Sequence, residues 1–82
     1  MKKETIYEHA KRIDELYTDQ SEIARSEGKA FEDYTPRDLV ATAKSRLDIM
    51  EDWTSEEHCD QKYKRRQQRL LRNFVEKWRN CI

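Results

Sequence analysis

The sequence predicts an all-α fold, a small bundle of three helices over about 3–27, 36–53 and 55–80. Three observations predict it. Apolar residues recur at spacings of three and four along most of the 82-residue chain. One glycine and one proline leave little material for the tight turns of a β fold. Charged residues make up 41% of the chain, and Glu, Lys, Arg and Gln suit the exposed faces of helices.

The first helix is drawn by Ile6, Ala10, Ile13, Leu16/Tyr17 and Ile23/Ala24, which share one face with Gln20 as an interruption. Gly28 follows at the position where a helix C-terminus takes the left-handed conformation. Asp19 and Glu22 have the spacing of an N-cap and its N3 acid, so this segment reads as one long helix or as two that meet near Thr18.

Residues 29–34 have no period and predict a loop, with Phe31 and Tyr34 folded inward. Thr35-Pro36-Arg37-Asp38 is the clearest boundary: a capping hydroxyl, a proline that needs no N–H at the first helical position, and an acid at the positive end of the dipole. The helix it opens carries Leu39/Val40, Ala43, Leu47, Met50 and Trp53. Thr54 and Glu57 have capping-box spacing and predict a break near Trp53. The lack of Gly and Pro after Pro36 also allows one continuous helix over 36–80, which would turn the bundle into a hairpin. The last helix carries Cys59, Tyr63, Leu70/Leu71, Phe74/Val75 and Trp78, with Ile82 beyond it, and Cys59, Tyr63, Leu70, Leu71, Phe74 and Trp78 share one arc.

Leu, Ile, Val and Phe number 14 of 82, below the fifth that marks disorder, yet the net charge is zero and two Trp and four Tyr add burial area. A folded chain with a thin core results, and self-association into a homo-oligomer would thicken it.

The charge is unevenly laid out. Residues 62–79 hold eight Lys or Arg and one acid, Glu76, a balance of +7; the other residues hold nine bases and sixteen acids, a balance of −7. At roughly 100° per residue, Lys62, Arg65, Arg66, Arg69, Arg72 and Arg79 fall opposite the apolar arc. This stripe is the candidate binding surface, for an acidic face of a larger protein or, alternatively, for RNA or DNA phosphates. Tyr63, Phe74 and Trp78 interleave with the arginines in sequence but belong to the opposite arc, as core rather than as base-stacking platforms.

Gln20, Ala24 and Gly28 resemble the first half of a helix-turn-helix, at positions one, five and nine of that motif. The match covers ten residues, Asp19 to Gly28, and departs after them: Lys29 stands where an apolar residue belongs, and the next helix starts late, at Pro36.

No cofactor and no enzymatic activity are expected. A lone Gly28 cannot build a phosphate loop. His58 and Cys59 are neighbours pointing different ways on a helix, His9 is distant, and no Cys-x-x-Cys pair exists for a metal. If 59–81 is one helix, Cys59 and Cys81 lie roughly 33 Å apart and cannot bridge, which suits a reducing cytoplasm. No apolar run nears the ~20 residues of a membrane span, and no signal-peptide core follows Met1. In size and charge the chain resembles small phage or plasmid accessory proteins that act as regulators or inhibitors by occupying a surface on something larger.

Overall fold

A computed structural model of the protein describes residues 4–52 and 61–81. Within them lie four helices and two short 3-10 turns: α1 (Ile6–Lys11), α2 (Asp14–Glu27), a turn at Phe31–Asp33, α3 (Pro36–Glu51), α4 (Gln61–Trp78) and a turn at Arg79–Cys81. No strand occurs among the described residues. The fold is a small all-α bundle in which α3 lies against both α2 and α4, and α1 closes over α2 and α4. Trp53 to Asp60, with the expected second capping box, His58 and Cys59, fall outside the described residues, as does the side chain of Cys81.

The predicted first helix is two helices, and the break comes at Arg12–Ile13 rather than near Thr18. Ile13 is extended (φ −107°, ψ 105°) and offers no side-chain cap to α2. Its own side chain stays fully buried, so the break re-aims the backbone without taking an apolar residue out of the core. The missing cap arrives from another helix. Gln67 of α4 presents its Oε1 to the N–H of Glu15, 3.3 Å away, satisfying one of the donors that open α2. Thr18 continues the helix without interruption, and Asp19 is occupied by an arginine of α3.

Both of the other local signals hold. Gly28 sits at φ 68°, ψ 31°, its N–H bonding Arg25 O at 3.3 Å while the N–H of Lys29 bonds Ala24 O at 2.9 Å. This is the paired closure that satisfies the last carbonyls of a helix. Thr35 Oγ1 accepts the N–H of Asp38 (3.3 Å), and the Asp38 carboxylate accepts the N–H of Thr35 in return (3.2 Å). Thr35→Ala is expected to cost about 1 kcal/mol of folding stability through loss of this cap. An unchanged denaturation midpoint would mean that the start of α3 is held by other contacts.

The 29–34 loop contains one 3-10 turn, with Asp33 accepting the N–H of Ala30 at 2.9 Å, and it does fold Phe31 and Tyr34 inward. α3 ends at Glu51, with Asp52 as its C-cap, and it packs against α4. A single helix over 36–80 is therefore excluded, because a continuous helix cannot lie against itself.

The core runs from Ile6, Ala10 and Ile13 through Leu16, Phe31, Leu39, Val40, Ala43 and Met50 to Leu71 and Phe74. Two glutamines sit inside it. Gln20 is only 1% exposed, and its Oε1 accepts the hydroxyl of Thr42 at 2.7 Å; Gln67 is 2% exposed. Each has an identified partner on another helix, which meets the requirement for burying a polar side chain. Gln20 thus ties α2 to α3 rather than standing free at the head of a helix-turn-helix. The chain after Gly28 likewise departs from that motif, since a 3-10 turn precedes α3.

Candidate functional site: the outer face of α4

α4 is built in two halves by its own periodicity. Gln67, Leu71 and Phe74 are buried, with Tyr63, Leu70, Val75 and Trp78 half-buried around them. Lys62, Arg65, Arg66, Arg69 and Arg72 are exposed, and Arg79, in the turn that follows, is exposed as well. All six residues expected from the sequence are thus on the surface. Arg65 to Arg72 cover about 10.5 Å of helix axis at 1.5 Å per residue. Lys62, Arg65, Arg66 and Arg69 line a shallow hollow of about 350 Å³.

Among the described residues, Arg65, Arg66, Arg69 and Arg72 enter no ion pair. Arg79 stands apart from them, 3.6 Å from Glu76, in a pair so exposed that it contributes little. Several acids elsewhere are engaged with other partners. Glu4 takes a two-pronged contact from Arg12 (2.7 and 2.8 Å), which holds its carboxyl below the usual range. Glu32 binds Lys11, and Asp33 and Asp38 close the caps described above.

On the inner side, Glu15 and Asp19 converge on Arg46 of α3, at 3.7 and 3.1 Å. The Tyr63 hydroxyl also donates to Glu15, at 2.6 Å. Burial, with that carboxylate beside it, pushes the Tyr63 hydroxyl up to about 12.

The outer face therefore carries an unrelieved electrostatic cost. Arg65/Arg69 at i,i+4, and Arg66/Arg69 and Arg69/Arg72 at i,i+3, are like-charge neighbours, each destabilising the helix by roughly 0.2–0.5 kcal/mol. An anion bound across them would remove that repulsion. Guanidinium groups suit such an anion because their fixed fork of donors matches carboxylate and phosphate oxygens alike.

Among the described residues, no aromatic ring joins this face. Tyr63 is bonded to Glu15, Phe74 is in the core, and the Trp78 indole N–H donates to Nδ1 of His9 at 2.8 Å. The surface can grip charge, but its described residues offer no platform for stacking bases.

A second hollow, of about 360 Å³, lies between α2, the 3-10 turn and α3 and is lined in part by Ile23, Glu27, Tyr34 and Asp38. Its polar groups have structural work: the Tyr34 hydroxyl donates to Glu27, and the Lys29 ammonium lies 5.4 Å from the centre of the Tyr34 ring. Among the described residues no cluster of His, Cys, Asp or Glu could hold a metal ion, and no helix is long and apolar enough to cross a membrane.

Sequence reasoning placed the arginine face but missed the groups behind it. Gln67 stands four residues after Tyr63 and four before Leu71, the spacing of the buried arc, and that spacing is the one signal that could have found it. Arg46, Glu15 and Asp19 carry no such signal, since their approach is made by the packing of α2 on α3. Compared with protein families, curated proteins and solved structures, the chain matches none.

Proposed function

We propose that this chain is a small non-enzymatic binding protein that docks the outer face of α4 on an acidic patch of a larger protein. By occupying that patch it would act as a regulator or inhibitor. The observation that carries the reading is the set of four exposed arginines, Arg65, Arg66, Arg69 and Arg72, with no ion pair among the described residues. Lys62 borders them in the hollow, and Arg79 extends the charge past the end of the helix.

A compact acidic patch suits this face better than a nucleic acid does. Duplex DNA carries a charge about every 1.7 Å and continues past the four arginines, which cover about 10.5 Å of helix axis. The residues outside 62–79 total −7, a balance that repels a long polyanion. A protein patch ends where the arginines end, and charge complementarity of that kind mainly speeds and orients encounter.

Replacing Arg65, Arg69 and Arg72 together with Gln tests the reading, since Gln keeps helix propensity and the buried arc is untouched. Partner capture from nuclease-treated lysate supplies the ligand. The triple variant should keep the wild-type far-ultraviolet spectrum while its association rate falls by about tenfold or more. If instead capture vanishes with nuclease, and the logarithmic salt slope for duplex DNA shrinks by roughly three, the target is nucleic acid. Unchanged capture by the variant would remove α4 from consideration altogether.

A further inference from the structure

We propose that His9 and Trp78 form a proton-operated latch, which holds α1 against the last turn of α4 at neutral pH and opens when the imidazole takes up a proton. The geometry defines the closed state. The Trp78 indole Nε1–H can only donate, and it lies 2.8 Å from His9 Nδ1. Nδ1 must therefore present a lone pair, so the neutral ring carries its proton on Nε2. The ring is largely buried, edge-on to Phe74 (centroids 5.2 Å apart, 67° between planes) and tilted against Trp78 (6.1 Å, 60°).

Protonation adds the new proton at Nδ1, the atom that accepts from Trp78. Two N–H groups then face each other and the bond is lost. The charged groups around the ring define the open state. Glu4, preceding α1, has a carboxylate oxygen 3.9 Å from Nδ1 and is the acceptor within reach of an imidazolium. That carboxylate is already gripped by Arg12. Lys77 of α4 places its ammonium 5.0 Å from the centre of the Trp78 ring. Burial first, then the positive charges of Arg12 and Lys77 against the pull of Glu4, hold the imidazole below the ordinary histidine value of 6.5. Once His9 is charged, its Nδ1–H is drawn to Glu4, and the last residue of α4 loses its tie to α1. The latch operates whatever the outer face of α4 binds, because none of its members is one of the exposed arginines.

The test follows the Trp78 indole N–H by NMR between about pH 8 and about pH 5, the range over which an imidazole titrates. The signal is identified by its loss in Trp78→Phe. The His9 ring signals are followed in the same samples. In the wild-type chain the indole N–H should move away from its bonded position, and exchange with water about tenfold faster or more, in step with His9 and with a midpoint below 6.5. His9→Gln keeps a side-chain acceptor but cannot titrate, so its indole signal should stay put across the range. That variant also separates His9 from His58. An indole signal indifferent to the His9 transition in the wild-type chain would overturn the proposal, and so would a transition that persists in a folded His9→Gln. The wild-type comparison decides the matter even where the variant is unfolded.

Discussion

Phe74→Ala should remove about 3–5 kcal/mol of folding stability. The side chain is completely buried, and it is where α1 and α4 meet through the edge-on contact with His9. A chain of 82 residues has about 4–12 kcal/mol to lose in total, so the variant stands close to unfolding at ordinary temperature. Urea denaturation should place its midpoint at least about 1 M below that of the wild type. Phe74→Leu keeps most of the volume and should cost less, about 1.5 kcal/mol. A loss below about 1 kcal/mol in the alanine variant would show that the neighbouring rings collapse into the space.

Arg46→Met should cost about 2–3 kcal/mol, and it does so through what it leaves behind. The guanidinium stands between Glu15 and Asp19, and the three side chains are 18%, 16% and 22% exposed. Without the cation, two carboxylates one turn apart on α2 remain half-enclosed and repel each other. Stranding a charge in a fully buried pair costs about 3–5 kcal/mol, and the residual contact with water reduces that figure here. Adding Asp19→Asn to Arg46→Met should therefore recover stability, although Asp19→Asn alone should lose it. Losses that simply add would mean that the two side chains do not interact.

The difference between these residues and the boundary at Thr35-Pro36 shows what a sequence can disclose. Thr35, Pro36 and Asp38 act on one another within a single turn, so their chemistry is complete in four consecutive letters. Gly28 is equally self-contained, because the left-handed backbone asks something of that residue alone. The two faces of α4 follow from a period that the helix itself enforces.

The break at Arg12–Ile13 is different. Ile13 keeps its place in the apolar period and remains buried, so the pattern runs through the break unmarked. The cap that permits it lies fifty-two residues away, on Gln67. The expected break near Thr18 fails for a related reason, since Asp19, the residue that suggested it, turns to Arg46 instead. As for the candidate site, the exposure of its six basic residues was legible. What could not be read was whether acids of the body would fold over them. Packing decides that: among the described residues it gives Glu4, Glu32, Glu15, Asp19, Asp33 and Asp38 to Arg12, Lys11, Arg46 and the helix caps, and no acid to Arg65, Arg66, Arg69 or Arg72.

The hydrogen bond from Trp78 to His9 spans sixty-nine residues of chain, and this separation matters while the protein is being made. At synthesis rates of about 5–20 residues per second, α1 leaves the ribosome roughly 3–14 s before the residue that will hold it. Six residues cannot sustain an isolated helix, so α1 spends that interval as unstructured chain, with Ile6 and Ala10 uncovered. α2 and α3 can pair earlier, through neighbours such as Gln20 and Thr42 that are only twenty-two residues apart. The nascent protein thus acquires its middle first. α1 stays open to chaperones until α4 emerges and supplies both the cap for α2 and the anchor for α1.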